Sequence, residues 1–150
     1  MTIQDRNKAT FRRLLDEVIN EGRLDLADQL LTADRPDHQE MGLPPEMTKG
    51  YEGFRRVIGM FREGFPDLRF QSDFMVADGD RVVSHNRVSG THKGAFMGIP
   101  PTNKRFSATA LDVCRFDDSG KISEHWGVFD MLGVLVQLGV VPAPGKGAGR

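Results

Sequence analysis

The chain has 150 residues, 20 of them basic and 21 acidic, so its formal net charge is -1 at pH 7. This balance, without a basic cluster, argues against a nucleic-acid partner and against an anionic membrane surface. The single cysteine, Cys114, excludes an internal disulfide and a cysteine-rich metal site. The N-terminus is too charged for a signal peptide, and the apolar segment 131–141 is far shorter than the ~20 residues that span a bilayer. We therefore expect a soluble cytoplasmic protein with one domain over 1–141 and a flexible Pro/Gly-rich tail over 142–150.

Apolar residues in the first half recur at helical spacing. They predict an amphipathic helix over 3–19 with Thr2 as its N-cap, a shorter helix over 25–31 and a third helix over 51–63. Between the second and third helices, prolines make the segment 35–49 irregular, and a long loop of this kind often covers a site.

The second half alternates apolar and polar residues with the period of two that is typical of strands. It predicts strands over 68–76, 81–91, 105–116 and 122–129, followed by a short helix that Asp130 caps. Helices first and antiparallel strands afterwards indicate an α+β fold, with three N-terminal helices packed on one face of a curved sheet. The periodicities point six side chains toward an inward cavity: Phe54, Ile58, Phe106, Ala108, Ala110 and Phe129.

A carboxylate interrupts the apolar face of the strand over 105–116. Asp112 shares that face with apolar residues only, so it needs a hydrogen-bonding or cationic neighbour. If 117–120 form a four-residue hairpin loop with Gly120 in the left-handed conformation, Asp112 lies opposite His125, which can titrate near neutral pH. A three-residue loop would turn His125 to the other face. The pair is therefore either an acid–base dyad or a structural hydrogen bond.

The opposite face of the last strand is also informative. Trp126 and Val128 alternate outward from the face that carries His125, which makes the outer face of the sheet apolar. An apolar outer face predicts a homodimer that buries it.

Several motifs resemble those of the SnoaL-like polyketide (ester) cyclase family: Gly90-Thr-His-Lys-Gly-Ala-Phe-Met-Gly-Ile-Pro-Pro-Thr102, Glu124-His-Trp126, Asp130 and Gln137-Leu-Gly139. The likeness extends from the first helix to Gly139. It implies the cone-shaped fold of nuclear transport factor 2, with a curved mixed or antiparallel sheet and a short C-terminal helix. It also implies a deep apolar pocket, self-association, no metal and no cofactor. Characterised members close a ring by intramolecular aldol condensation, with an aspartate as acid and base on a polyketide ester.

The chain departs from this family at the position of that aspartate. The resemblance places it directly after Glu124-His-Trp126, where this chain has Gly127. The family's pocket histidine on the neighbouring strand aligns with Asp112, so the carboxylate has moved across the ladder while His125 remains. We expect five residues to bind substrate. His38, His92 and Met97 lie at positions that the resemblance brings to the pocket, and Phe54 and Phe129 are pointed inward by their periodicities.

Two functions stay open. In the first, Asp112 or an Asp112–His125 dyad removes a proton next to a carbonyl of an apolar small molecule, and a donor such as His38 stabilises the enolate. In the second, the same pocket binds an apolar small molecule without turnover, which Gly127 favours. A dehydratase or an epoxide hydrolase would need Tyr, Asn or Arg around the carboxylate, and Tyr51 is the only tyrosine in the chain.

Overall fold

The computed structural model describes residues 1–145. Its first helix, α1 (Ile3–Arg13), continues directly as a π-helical segment, Leu14–Asn20. Thr2 caps α1 as predicted: its hydroxyl accepts from the backbone N–H of Asp5, and the Asp5 carboxylate accepts from the backbone N–H of Thr2. Three further α-helices follow, namely α2 (Ala27–Leu30), α3 (Gly50–Gly64) and α4 (Met131–Gln137), with 3₁₀ turns at Leu24–Leu26 and Pro45–Met47.

Five strands form one mixed sheet. They are β1 (Asp37–Gln39), β2 (Arg69–Asp78), β3 (Arg81–Thr91), β4 (Arg105–Phe116) and β5 (Ile122–Phe129), in the spatial order β1-β5-β4-β3-β2. The bounds of β3, β4 and β5 are those that the alternation predicts. β1 was not predicted, and it pairs parallel to β5 while all other neighbours are antiparallel.

The helices cover one face of the sheet, which we call the inner face. α1 packs against β2 and β3, and its π-helical continuation packs against β2. Alternate residues of the strands meet the helices there, and Phe106 and Ala108 are buried on this face as expected. No described helix covers the opposite, outer face, so the chain folds as an α+β cone with one covered and one open side.

The register between β4 and β5 differs from the expected one. Phe116 pairs with Ile122, so the loop has five residues rather than four, and a bulge adds one residue between this pair and the Arg115–Glu124 pair. Asp112 therefore lies opposite Gly127, and His125 lies opposite Cys114. The predicted Asp112–His125 register was wrong by two residues, but a shift of two keeps both side chains on the inner face.

Two local predictions near the C-terminus are confirmed. Gly120 has a positive φ of 88° in the hairpin loop, and Asp130 caps α4 by accepting the backbone N–H of Gly133 at 2.8 Å. Among the described residues, no helix has the length and apolarity needed to cross a membrane. Residues 146–150 of the predicted tail lie outside the described part of the chain.

Candidate functional site

A cavity of about 80 Å³ lies between the helices and the inner face of the sheet. Its wall is mostly apolar, with contributions from both the helices and the strands. Polar side chains are confined to one side of it, along β1, β4 and β5. These polar lining residues are Arg35, Asp37, Gln39, Asp112 and His125.

His125 is held between two carboxylates. Its Nδ1 lies 2.7 Å from Asp37 Oδ1, and its Nε2 lies 2.8 Å from Asp112 Oδ1. Because an ionised carboxylate can only accept, both ring nitrogens carry a proton when the two aspartates are charged. The three side chains are largely buried but reach the cavity surface. Asp37, His125 and Asp112 thus form a continuous hydrogen-bonded triad at the cavity wall.

The charges in this triad are mutually stabilising. Burial acts to lower the pKa of His125, but its hydrogen bonds to Asp112 and Asp37 and their negative charges outweigh burial and raise it to about 9. Burial acts to raise the pKa of Asp37, yet the His125 hydrogen bond and the charges of His125 and Arg35 lower it overall. At neutral pH the imidazole is therefore a cation that donates to both carboxylates.

Arg35 closes the β1 end of the triad. Its guanidinium Nη1 donates to Asp37 Oδ2 at 3.2 Å, and Nη2 lies 3.5 Å from the carbonyl oxygen of Gly50. The residue is only 1% exposed, and the ring of Phe54 lies 5.7 Å below the guanidinium carbon. Arg35 therefore supplies the positive charge that offsets the second buried carboxylate.

Asp112 has a further partner on the β3 side. Asn86 Nδ2 donates to Asp112 Oδ2 at 2.8 Å, and neither Asn86 nor its neighbour Ser84 has any exposed surface. Both oxygens of the Asp112 carboxylate thus accept a hydrogen bond from the protein, which fixes its plane.

Gly127 makes room for Gln39 and Asp112. The parallel register places Gln39 beside Gly127, and a Cβ atom at position 127 would collide with Gln39 Oε1 and lie 2.9 Å from Asp112 Oδ1. The side-chain amide of Gln39 makes no hydrogen bond within residues 1–145, although it lines the cavity. The side-chain amide of Gln39 therefore lies near the Asp112 carboxylate, with its Oε1 atom toward Gly127.

Four of the seven predicted site residues meet at this cavity. Asp112, His125, Phe54 and Phe129 line it. The bond between Asp112 and His125 is the contact that the alternation predicts, although it is diagonal in the ladder rather than directly across it.

The other three predicted residues lie elsewhere. His38 is on the outer face, because β1 alternates and its register partner is Trp126; the two rings stack at 5.4 Å. His92 is fully buried beneath the loop 92–104, where its Nδ1 accepts the backbone N–H of Thr102 at 3.2 Å. Met97 is exposed at the tip of that loop, since Phe96 enters the core in its place. Placing His38, His92 and Met97 in the pocket was therefore wrong.

Four site residues were missed: Arg35, Asp37, Gln39 and Asn86. The first three alternate at every second position, which is a strand signal, but Pro36 between Arg35 and Asp37 and the lack of apolar residues hid it. Asn86 was detectable as one of two polar residues, with Ser84, on the buried face of β3, where Val82 and Val88 are fully buried. Within residues 1–145, no cluster of three or more His, Cys, Asp or Glu side chains is arranged to hold a metal ion.

Comparison with known proteins identifies relatives over almost the whole chain. Residues 9–138 match the family model of the SnoaL-like polyketide cyclases. Nogalonic acid methyl ester cyclase of Streptomyces nogalater is 32% identical over 123 residues, which are 80% of this chain and 88% of the relative. Aklanonic acid methyl ester cyclase of Streptomyces peucetius is 27% identical, over 85% of this chain and 87% of that protein. The solved structure of TsrD from Streptomyces laurentii superposes with a TM-score of 0.81 at 28% identity, covering 92% of this chain and 98% of TsrD.

Proposed function

Because the chain belongs to the SnoaL-like polyketide cyclase family, we propose that it is a cofactor-independent cyclase, which closes a ring in an apolar polyketide ester by an intramolecular aldol-type addition. One observation carries the proposal. The Asp112 carboxylate lies at the cavity wall, 2.9 Å from the point where a side chain at position 127 would begin. A carboxylate thus stands next to the place where the resemblance expects the acid/base aspartate.

In the proposed reaction Asp112 is the base. Its carboxylate takes a proton from the carbon between two carbonyl groups, and the C–H electron pair moves to form an enolate. The enolate carbon attacks a second carbonyl carbon of the same molecule, so that one C–C bond forms and that carbonyl oxygen becomes an alkoxide. The alkoxide takes the proton back from Asp112. No atom is gained or lost, so the product is an isomer of the substrate.

Gln39 is the proposed donor to the enolate oxygen. The negative charge that develops on this oxygen needs a positioned hydrogen-bond donor. Both N–H groups of His125 are engaged by carboxylates, and His38 is outside the cavity, whereas the Gln39 amide is unengaged and lies beside Asp112. His125 and Arg35 then serve to position and balance the two aspartates.

The experiment is a ring-closure assay with the methyl esters of nogalonic and aklanonic acid, after which the two curated relatives are named. Chromatography should separate a cyclised isomer of unchanged mass. Asp112→Asn should lower the rate by roughly a hundredfold or more, as is typical of positioned acid–base catalysis. Asp73→Asn, which removes a carboxylate paired with His85 outside the cavity, is the matched control. Equal rates for Asp112→Asn and the wild type would refute the role of Asp112.

A non-catalytic binding protein is the second candidate. It is favoured by Gly127, which leaves no carboxylate at the position directly after Glu124-His-Trp126, where the resemblance expects the acid/base aspartate. Calorimetry would separate the candidates: a binding protein takes up these esters, or another apolar small molecule, without converting them. Saturable binding with no cyclised isomer would support this alternative.

We also propose that the protein forms a homodimer through the outer face of the sheet and acts in the cytoplasm. Four apolar side chains are exposed on that face, two on β2, one on β4 and one on β5: Phe74, Val76, Leu111 and Val128. Burying this band against a second copy would remove it from water. Light scattering should give twice the 16.7 kDa of one chain, and a constant single-chain mass at micromolar concentration would contradict the proposal.

A further inference from the structure

A line of hydrogen-bonded polar side chains crosses the inner face and ends on Asp112. Ser72 Oγ lies 2.9 Å from Ser84 Oγ, Ser84 Oγ donates to Asn86 Oδ1 at 2.6 Å, and Asn86 Nδ2 donates to Asp112 Oδ2. Ser84 and Asn86 are fully buried, so water does not compete for these bonds. Ser72 is the half-buried end of the line and lies at the bulge that precedes Phe74.

The charge on Asp112 sets the direction of every bond in this line. An ionised carboxylate can only accept, so the Asn86 amide must turn its NH₂ group toward Asp112. Its carbonyl oxygen then faces Ser84, whose hydroxyl must donate to it. Ser84 in turn accepts from Ser72, whose hydroxyl is nearer to Ser84 Oγ, at 2.9 Å, than to its other acceptor, the carbonyl oxygen of Phe74, at 3.3 Å. A protonated Asp112 would favour the opposite direction. The observed pairing therefore aligns three donors toward the carboxylate.

We propose that Ser72, Ser84 and Asn86 form a positioning relay that fixes the orientation of the Asp112 carboxylate and directs hydrogen bonds to it. Its effect on catalysis depends on the proposed cyclase function, whereas its effect on the carboxylate does not. Successive hydrogen bonds polarise one another, so the Asn86 amide is a stronger donor with Ser84 behind it than alone. The relay acts through Asp112 and touches no substrate atom.

The other charged or titratable groups near Asp112 are few. His125 contacts its Oδ1 from β5, and Asp37 and Arg35 stand beyond His125 at β1. Cys114 follows on the same strand, where burial raises the pKa of its thiol, so it is uncharged at neutral pH. The helices over the site contribute only apolar side chains to the cavity: Phe11, Leu14, Leu15, Ile19, Phe54, Val57, Ile58 and Phe61. The relay residues on the Asn86 side of Asp112 therefore carry no formal charge, so substitutions of them change the hydrogen bonding of Asp112 without changing the charge around it.

The test replaces the three relay residues one at a time, beginning with the one that contacts Asp112. Asn86→Leu removes the direct donor, Ser84→Ala removes the group behind it, and Ser72→Ala removes the last hydroxyl. Asn7→Leu is the control, because Asn7 is equally buried but lies outside the cavity. The ¹³C signal of the Asp112 carboxyl, followed by NMR against pH, reports its charge without any substrate.

We expect the pH dependence of the Asp112 carboxyl signal in Asn86→Leu to differ from that of the wild type, because a hydrogen bond to a charged group is lost. The difference should be smaller in Ser84→Ala, smaller still in Ser72→Ala, and absent in Asn7→Leu. In the ring-closure assay Asn86→Leu should lower kcat roughly tenfold with little change in KM.

An Asp112 titration that is the same in all four variants and the wild type would overturn the relay and leave the line as a brace within the sheet. If Asn86→Leu does not fold, the two serine variants, which remove one oxygen each, carry the same test. A graded carboxyl titration in a protein that closes no ring would support the relay while refuting the cyclase function.

Discussion

The two faces of the sheet carry histidine–carboxylate pairs of the same length in opposite settings. On the inner face His125 Nε2 lies 2.8 Å from Asp112 Oδ1, and on the outer face His38 Nε2 lies 2.8 Å from Glu124 Oε2. The inner side chains are 15% and 13% exposed, and the outer ones 45% and 21%. When one partner of a buried pair is removed, the remaining charge has neither a partner nor water around it. When one partner of an exposed pair is removed, water solvates the remaining charge. We therefore expect the two pairs, although their N···O distances are the same, to contribute differently to the free energy of unfolding.

The largest effect should follow from removing the inner imidazolium. In His125→Leu the Asp37 and Asp112 carboxylates lose the cation between them. We expect the free energy of unfolding to fall by about 3–5 kcal/mol, as when one partner of a buried pair is deleted. Urea denaturation measures it, and a loss below 1 kcal/mol would show that the inner pair is no stronger than a surface pair.

The pH dependence of the free energy of unfolding should report the charge of the His125 imidazolium. The pKa of His125 is raised from 6.5 to about 9, so the folded state holds a proton that the unfolded state has released. This stabilisation is fully present below pH 6.5 and is lost as the pH rises through about 9. We expect the free energy of unfolding to fall by roughly 3 kcal/mol over this interval.

The matched measurement is the same titration of His125→Leu, which should be nearly flat between pH 7 and 9. Readings above pH 9 are excluded because the raised pKa of Cys114 adds a loss of stability of the same sign there. An unchanged slope in His125→Leu would assign the effect to another group.

Crowding on the inner face gives the next prediction. Gly127→Ala places a methyl group against Gln39 Oε1 and Asp112 Oδ1, and overpacking of this kind costs about 1–3 kcal/mol. Because the end of the Gln39 side chain can move away, Gln39→Ala in the same chain should recover part of this loss. Urea denaturation of both single variants and the double variant gives the coupling energy, and additive effects would mean that Gln39 does not fill the space at Gly127.

The inner face also shows what a sequence can predict. Strict alternation fixed the bounds of β3, β4 and β5, and the single carboxylate on the apolar face of β4 identified Asp112 as a site residue. His125 also lies on the predicted face of the sheet, although the predicted register was wrong. The fifth loop residue and the bulge each shift the register by one residue, and a total shift of two leaves the face unchanged.

The β1 side of the site could not be predicted in the same way. Its three residues have no apolar periodicity and become a strand only by pairing with β5 across a long separation in sequence. The resemblance placed His38 in the pocket, and reading this segment as a loop left Arg35, Asp37 and Gln39 unassigned. Alternation in β1 corrects both points, because it turns His38 outward and Asp37 and Gln39 inward.

On the outer face the prediction concerns assembly. Val128 is 57% exposed on β5, at one side of the apolar band, so Val128→Lys should place a charge in the proposed dimer interface and shift the protein toward a single-chain mass. Asp118→Lys, which introduces the same residue in the exposed β4–β5 loop, should leave the mass unchanged. Light scattering checks both, and an undiminished dimer in Val128→Lys would exclude this face as the interface.

The smallest effect should come from the outer histidine. His38 stacks on Trp126 and pairs with Glu124, which also accepts from Arg115 Nε at 3.0 Å. The hydrogen bond from His38 is the main reason why the pKa of Glu124 is lowered, but both groups are reached by water. Glu124 keeps Arg115 as a partner in His38→Ala, so we expect the free energy of unfolding to change by less than about 1 kcal/mol. Urea denaturation at pH 6 and 8 measures it beside His125→Leu. A loss as large as that of His125→Leu would show that hydrogen-bond length, rather than burial, determines the contribution of these pairs.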